Sequence, residues 1–337
     1  MRTTGLLDLQ VNGFAGVDFN CERLTAEALD HALEAMLKTG VTTCLPTLIT
    51  AHESELAARF AALDAAVAKS RLGPLMCPGY HLEGPFLNPS PGTAGCHPKA
   101  AMTAAEAGLV ERLEARLARP ILLVTVAPEV EGGLTFIAAM KRAGKVVALG
   151  HCAPDFALAA QAAAAGATLS THLGNASPRE VHKFDNPTFA QLAEDRLCAT
   201  FIADGVHVPP QALKVMVRAK GIARSILVTD AVLAAAAPPG TYDFAGMQVE
   251  HGADGTVRVP GSAVLAGSAL SLDQAVRNVV AWGIAAPLEA MAMACAHPAK
   301  AMAEAKGFGR ADSEIDWSDD LRIARVRVGD VERHFAV

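Results

Sequence analysis

The segment His81–Phe86, HLEGPF, is the part of the sequence from which the fold and the candidate site are best deduced. Glu83 follows a short apolar run that reaches Tyr80, which predicts a buried strand, and Gly84-Pro85 turns the chain directly afterwards. A carboxylate at the end of a buried strand is costly to leave unpaired. For a single glutamate, an ion pair with an arginine is the simplest explanation, and a functional site is the alternative.

Short apolar segments that predict buried strands alternate with helical patterns along most of the chain. Eight strands are predicted, at Gly5–Val11, Thr42–Ile49, the segment ending in Glu83, Ile121–Val126, Val146–Leu149, Thr168–Thr171, Leu197–Ile202 and Ser225–Thr229. Helices are predicted from Thr25 toward Gly40, over Glu53–Lys69, from a capping box at Thr103 and Glu106 to about Leu117, near 135–143, and over Phe156–Ala165 and Pro210–Lys220. This alternation predicts an α/β fold, a (β/α)8 TIM-like barrel. A doubly wound sheet is less well supported, because no G-x-G-x-x-G motif follows the first strand.

Two segments fall outside the repeat of strand and helix. Residues 247–259 predict a β-hairpin, and residues 321–337 predict two alternating strands around Gly329-Asp330. We therefore expect a barrel over residues 1–306, with the hairpin inserted near 247–259, and a small, reduced β appendage over residues 307–337.

Polar side chains follow several of the predicted strands, and a barrel brings such strand ends to one mouth. Glu83 ends the third strand, His151 the fifth, His172 the sixth and Asp230 the eighth, while His207 lies shortly after the seventh. One carboxylate and two imidazoles form a three-ligand set for Zn²⁺ or a similar divalent ion, with a position left for water. Asp230 is the candidate general base beside that water.

Each of these residues also has a purely structural explanation. His151 and His172 can be hydrogen-bonded core histidines, Asp230 can cap a helix, and His207 can be a surface loop residue. These explanations stay open for each residue alone. The occurrence of all five residues at the same end of predicted strands favours a site.

Composition limits the classes of partner. The chain has 337 residues, a net charge of −6 and no long basic run, which argues against nucleic acid and against a membrane as partners. A small-molecule substrate is expected instead. The seven cysteines are scattered and include no C-x-x-C pair, which is typical of reduced thiols in a cytoplasmic protein.

Seven segments together carry a family resemblance: Asp8–Gly13 (DLQVNG), His81–Phe86 (HLEGPF), Gly150-His151, Thr171–Ala176 (THLGNA), Ala203–Val208 (ADGVHV), Val228–Ala231 (VTDA) and Ala266–Ser268 (AGS). In this order they resemble the N-acetylglucosamine-6-phosphate deacetylase family of the amidohydrolase superfamily. The resemblance implies a metal held by Glu83, His151 and His172, with Asp230 as the catalytic acid–base. It further implies that Asn175, Ala176 and His207 contact the substrate, and that His97, in the loop after Pro91, helps to polarise the amide carbonyl.

The sequence departs from the family pattern at several positions. Gln10 and Asn12 stand where many amidohydrolases carry a His-x-His pair for a second metal, so one divalent ion, expected to be Zn²⁺, is predicted. Ungapped counting puts Lys183 where the family has a phosphate-binding arginine, and His182 lies beside it. An Arg-to-Lys change is not conservative at a bidentate phosphate site, so we expect weaker dependence on the phosphate than is usual in the family.

The leading functional hypothesis is a metal-dependent hydrolase that converts N-acetylglucosamine 6-phosphate to glucosamine 6-phosphate and acetate. A deacylase of an unphosphorylated or differently acylated amino sugar is the alternative. A non-catalytic sugar-binding protein on the same barrel is the third hypothesis, although no metal ligand and no catalytic aspartate has been lost. The resemblance leaves a homodimer open.

Overall fold

A computed structural model describes residues 1–336, and it shows eight parallel strands arranged as a nearly closed barrel. The strands are β1 (Leu6–Val11), β2 (Val41–Ile49), β3 (Tyr80–Glu83), β4 (Ile121–Val126), β5 (Val146–Leu149), β6 (Leu169–Ser170), β7 (Cys198–Ile202) and β8 (Ser225–Val228). They pair in this order. The predicted (β/α)8 barrel is confirmed.

Helices follow most of the strands and cover the outside of the barrel. The structure describes α1 (Ala26–Lys38), α2 (Glu53–Lys69), α3 (Gly73–Met76), α4 (Ala107–Glu114), α5 (Gly133–Arg142), α6 (Phe156–Ala165), α7 (Pro187–Ala193), α8 (Pro210–Lys220), α9 (Leu272–Ala281), α10 (Pro287–Ala294) and α11 (Ala296–Met302). Short 3₁₀ turns lie at Lys99–Ala101 and Ile222–Arg224. In the part of the chain that is described, no helix is long and apolar enough to cross a membrane.

The first helix shows how local sequence sets these elements. Thr25 Oγ1 accepts a hydrogen bond from the backbone N–H of Ala28 and so caps the N-terminus of α1. The apolar residues of α1 recur at helical spacing and are buried. Gly40 then adopts φ = 79°, and a Cβ there would lie 2.8 Å from Ile323 Cδ1. Only glycine suits this turn into β2.

The first and eighth strands meet through a few specific contacts. Val11 forms an isolated parallel bridge with Ala231, and the backbone N–H of Asp230 donates to the Gln10 carbonyl at 2.9 Å. Deeper in the barrel, the buried Asp8 carboxyl is hydrogen-bonded to the Thr229 hydroxyl at 2.5 Å and to the Thr229 N–H at 3.2 Å. Asp8 therefore ties the two ends of the sheet together directly below the strand ends.

The stability of this closure is expected to depend on pH. Burial raises the pKa of Asp8 from 3.8 to about 7, in spite of the hydrogen bonds from Thr229. The folded state thus binds the Asp8 proton more tightly than the unfolded state does. The protonated carboxyl therefore contributes to the free energy of unfolding below pH ~4, and this contribution is lost as the pH rises toward 7. Each unit of pKa shift corresponds to about 1.4 kcal/mol of unfolding free energy.

Asp8→Asn replaces the carboxyl with a neutral amide that resembles its protonated form. The thermal unfolding midpoint of this variant should therefore rise relative to that of the parent protein between pH 5 and pH 8. A difference in midpoint that does not change with pH would contradict this assignment.

A two-stranded sheet pairs Gly13–Phe14 with Val17–Asp18, and two larger sheets flank the barrel. One contains Gly240–Phe244, Met247–His251 and Val257–Arg258, so the predicted hairpin is present and gains a first strand that was not predicted. The other sheet has the order Arg2–Thr3, Ser313–Trp317, Ile323–Val328 and Val331–His334. The β appendage therefore takes strands from both ends of the chain, and the division at residue 306 stays a prediction.

Two local predictions are wrong. α4 begins after Glu106, not at a Thr103 cap, because the Thr103 N–H donates to the Pro85 carbonyl at 3.2 Å and the Glu106 carboxylate pairs with Arg112. The apolar run before β3 starts with the helical turn α3, whose proline lies in its first turn, where the missing N–H costs nothing.

Candidate active site

Four of the predicted site residues lie at the carboxyl ends of barrel strands and line one cavity of about 700 Å³. Glu83 is the last residue of β3, and His151, His172 and Asp230 lie within two residues of the ends of β5, β6 and β8. His151, His172 and Asp230 all have positive φ, at 51°, 29° and 49°. Such backbone strain in non-glycine residues is concentrated at functional sites.

Glu83 is the centre of the cluster. Its Oε1 lies 3.4 Å from His151 Nε2 and 3.1 Å from His172 Nε2, and its Oε2 lies 3.7 Å from His97 Nε2. Gln10 Nε2 also donates to Oε1 at 2.9 Å. Burial opposes ionisation of Glu83, but hydrogen bonds from His151 and His172 outweigh it and hold the pKa well below its usual range. The carboxylate is therefore ionised and faces only nitrogen groups in this cluster.

The cluster fits a divalent cation. Glu83, His97 and His151 offer ligand atoms that all lie within 4.8 Å of one another. Imidazole nitrogen with carboxylate oxygen is a donor set suited to Zn²⁺. His172 faces Glu83 through Nε2, and its Nδ1 is buried and has no hydrogen-bond partner within residues 1–336.

Hydrogen bonds outside the cluster fix two of the imidazole rings. His151 Nδ1 donates to the Thr93 carbonyl at 2.8 Å, which orients the ring so that Nε2 faces Glu83. His97 Nδ1 lies 2.8 Å from Thr50 Oγ1, which orients its Nε2 toward Glu83. Burial and the neighbouring His151 lower the pKa of His97 to about 3, so this ring is neutral.

Asp230 is held by amide side chains and not by a cation. Asn12 Nδ2 donates to Asp230 Oδ1 at 2.7 Å, and Gln10 Nε2 donates to the same oxygen at 3.0 Å. Gln10 thus bridges the carboxylates of Asp230 and Glu83. Burial, and then the negative charge of Glu83, raise the pKa of Asp230 to about 6. A carboxylate whose pKa approaches neutrality is suited to exchange protons near pH 7.

His207 follows β7, five residues after its last residue. It lines the cavity, and its Nδ1 lies 2.6 Å from Asp204 Oδ2. Asn175 and Ala176 also line the cavity, and Asn175 Nδ2 donates to the His172 carbonyl at 3.0 Å. The three predicted substrate contacts therefore face the same space as the metal-ligand candidates.

The loop after Ala176 differs from the sequence-based expectation. Arg179, Glu180, His182 and Lys183 are all exposed, but only Arg179 and Glu180 line the cavity. His182 Nδ1 accepts from the Asp185 N–H at 3.0 Å, and Lys183 Nζ lies 5.2 Å from the centroid of the Phe184 ring. The cation that the structure places in the cavity wall is Arg179.

Comparisons with known proteins identify the family. The sequence model of the Amidohydrolase family matches residues 2–310. An N-acetylgalactosamine-6-phosphate deacetylase of Escherichia coli O157:H7 is 34% identical over 295 residues, which are 87% of this chain and 76% of that protein. An N-acetylglucosamine-6-phosphate deacetylase of Bos taurus is 34% identical over 326 residues, 93% of this chain and 77% of that protein.

Comparison with solved structures leads to the same family. A mutant N-acetyl-D-glucosamine-6-phosphate deacetylase from Mycobacterium smegmatis, solved in complex with N-acetyl-D-glucosamine-6-phosphate, superimposes with a TM-score of 0.86 at 28% identity. The match covers 97% of this chain and 85% of that one. This chain belongs to the N-acetylglucosamine-6-phosphate deacetylase family of amidohydrolases. The family resemblance deduced from the sequence motifs is confirmed, and the chain is an enzyme of the class that acts on amides.

Several residues of this amidohydrolase's site were not singled out from sequence. Asp204 orients His207, Thr50 orients His97, and Arg179 lines the cavity. The Asp-Gly-Val-His spacing at 204–207 was an available signal, because an aspartate often hydrogen-bonds two or three residues ahead in a turn. Thr50 had no comparable signal, and the sequence indicated only that Arg179, like His182 and Lys183, is a cationic residue of the loop after Ala176.

Proposed function

We propose that this amidohydrolase removes the acetyl group of N-acetylglucosamine 6-phosphate and releases glucosamine 6-phosphate and acetate. The observation that carries the proposal is that one cavity contains both Asp230 and Glu83, whose carboxylates are bridged by Gln10, and that Glu83 faces three histidines. The names of the Bos taurus relative and of the structural neighbour support this substrate, whereas the name of the Escherichia coli relative supports the galactosamine epimer. Cytoplasmic location, suggested by the cysteine pattern, belongs to the same proposal.

We propose that one divalent ion, Zn²⁺, is held by Glu83, His151 and His172. Two ligands of a tetrahedral zinc are separated by roughly 3.3 to 3.5 Å, given the usual zinc–ligand bond lengths. The distances from Glu83 Oε1 to His151 Nε2 and His172 Nε2, 3.4 and 3.1 Å, are close to this separation. His97 faces the other oxygen at the longer distance of 3.7 Å, which leaves it for the substrate. The ion would polarise the amide carbonyl and make water a stronger nucleophile.

Asp230 would act first as base and then as acid. It takes a proton from the attacking water and delivers a proton to the departing amine, which is a poor leaving group unless protonated. Gln10 and Asn12 hold the carboxylate in place throughout. Neutral His97 would donate to the developing oxyanion, while Asn175, Ala176 and His207 contact the sugar.

The function is tested by measuring release of the free amino sugar from a panel of N-acylated sugars. N-acetylglucosamine 6-phosphate should be hydrolysed, and N-acetylgalactosamine 6-phosphate, unphosphorylated N-acetylglucosamine and longer N-acyl analogues define the specificity. Turnover of the unphosphorylated sugar with a comparable kcat/KM would favour the alternative substrate class. Absence of hydrolysis across the panel by metal-loaded protein would contradict the proposal.

The phosphate contact can be assigned by a matched pair of variants. A charge-assisted hydrogen bond to the phosphate contributes roughly 1.5 to 3 kcal/mol. If Arg179 in the cavity wall makes this contact, Arg179→Ala should raise KM for the phosphorylated sugar about ten- to a hundredfold, and KM for the unphosphorylated sugar should hardly change. Lys183→Ala removes an equal charge from the same loop outside the cavity and is the control.

The reverse result would restore the assignment made from sequence. A rise in KM with Lys183→Ala or His182→Ala, and none with Arg179→Ala, would mean that the loop closes over the substrate and brings those side chains in. No effect of any of the three substitutions would indicate that the phosphate is bound elsewhere or is not required.

A further inference from the structure

We propose that Asp204 is a positioning residue that holds the His207 ring so that Nε2, and not Nδ1, faces the substrate. The identity of that substrate rests on the function proposed above, but the orientation of the ring does not. Asp204 would act only through His207, without touching the substrate itself.

The contact between the two side chains is short and shielded from solvent. Asp204 Oδ2 lies 2.6 Å from His207 Nδ1, and the side chains are only 14% and 7% exposed. Burial acts to raise the pKa of Asp204, but the hydrogen bond and the charge of His207 outweigh it, and the pKa lies below its ordinary value. An ionised carboxylate can only accept hydrogen bonds, so Nδ1 must be the donor.

The second oxygen of Asp204 fixes the backbone that carries the histidine. Oδ1 accepts from the N–H of Val206 at 2.8 Å and from the N–H of His207 at 2.9 Å. The turn starts directly after β7, where Asn278 Nδ2 donates to the Ala203 carbonyl at 2.8 Å. One carboxylate therefore holds both the main chain and the ring of His207, and it sits on the end of a rigid barrel strand.

Nε2 is the atom left for a ligand. His207 lines the cavity, and within residues 1–336 its Nε2 has no hydrogen-bond partner. With the proton on Nδ1, a neutral ring presents an acceptor to a sugar hydroxyl, and a protonated ring presents a donor to a phosphate oxygen. Both are groups of a hexosamine phosphate. Loss of the Asp204 charge would release the ring and should weaken substrate binding more than turnover.

The first test is kinetic and uses a double-mutant cycle. Asp204→Asn keeps an acceptor oxygen and removes the charge, and it should raise KM about tenfold with little change in kcat. The same substitution in a His207→Ala background should have almost no further effect, because its target is gone. Asp254→Asn is the matched control, since Asp254 also accepts from a backbone N–H two residues ahead, in an exposed hairpin turn. A KM effect of Asp204→Asn that persists undiminished without His207 would overturn the proposal.

The second test needs no activity. Nitrogen-15 NMR of histidine-labelled protein at pH 8, with the His207 signals identified by their loss in His207→Ala, should show a proton on Nδ1. Asp204→Asn should shift the ring toward the mixed tautomers of a free imidazole. An unprotonated Nδ1 in the parent protein would overturn the proposal, whether or not the enzyme deacetylates the sugar. A protonated Nδ1 in a protein that hydrolyses none of the sugars would support the orientation and reject only the proposed function.

Discussion

Asp230→Asn is expected to lower kcat by a factor of ~10² to 10⁴ while the protein keeps its metal. The substitution preserves the size of the side chain and an oxygen that can still accept from Asn12 and Gln10. It removes the group that accepts a proton from water and returns it to the amine. Single-turnover rates with metal content measured on the same sample separate loss of chemistry from loss of the ion.

A buried carboxylate on the neighbouring strand provides the control for this experiment. Asp8 lies on β1, contacts Thr229 just before Asp230, and is not among the residues that line the cavity. Asp8→Asn should therefore leave kcat within a small factor of the parent value, although it changes stability. Turnover of Asp230→Asn close to that of the parent protein would refute the acid–base assignment.

The barrel could be predicted because its evidence is local. Each strand is a short apolar run bounded by turn residues, as in Ile121–Val126 and Val146–Leu149, and both of these bounds agree with the structure. The residues after the strands then follow from topology, since parallel strands end on the same face. Topology alone therefore groups Glu83, His151, His172 and Asp230 at one end of the barrel.

The contacts that position these residues could not be predicted because they join distant parts of the chain. Asp8 and Thr229 are 221 residues apart, and Gln10 and Glu83 are 73 residues apart. The pattern of a single strand carries no information about such partners. Ungapped counting also failed to anticipate that Arg179, and not Lys183, lines the cavity, because the path of a loop depends on what it packs against. Here Ser177 and Pro178 lie against Gly92 of another loop, where a Cβ would be 2.6 Å from the Ser177 carbonyl oxygen.

His172→Ala is expected to remove the metal and the activity together, with the barrel still folded. His172 and His151 face the same oxygen of Glu83, so loss of either leaves two ligands from the protein, too few for tight binding of Zn²⁺. The ring is buried, and its removal leaves a cavity that costs some stability. Metal content by elemental analysis, with circular dichroism as the check on folding, tests this without reference to activity.

His97→Ala is the variant that distinguishes the two possible ligand sets. Glu83, His97 and His151 are the residues whose ligand atoms lie within 4.8 Å of one another, so an ion could be held by His97 in place of His172. With the set Glu83, His151 and His172, His97→Ala should keep one ion per chain and lose rate, because only the contact to the substrate carbonyl is gone. Loss of metal in His97→Ala with retention in His172→Ala would reverse the assignment. Two ions per active chain would contradict the single site, since Gln10 and Asn12 offer amides and not imidazoles as ligands for a second ion.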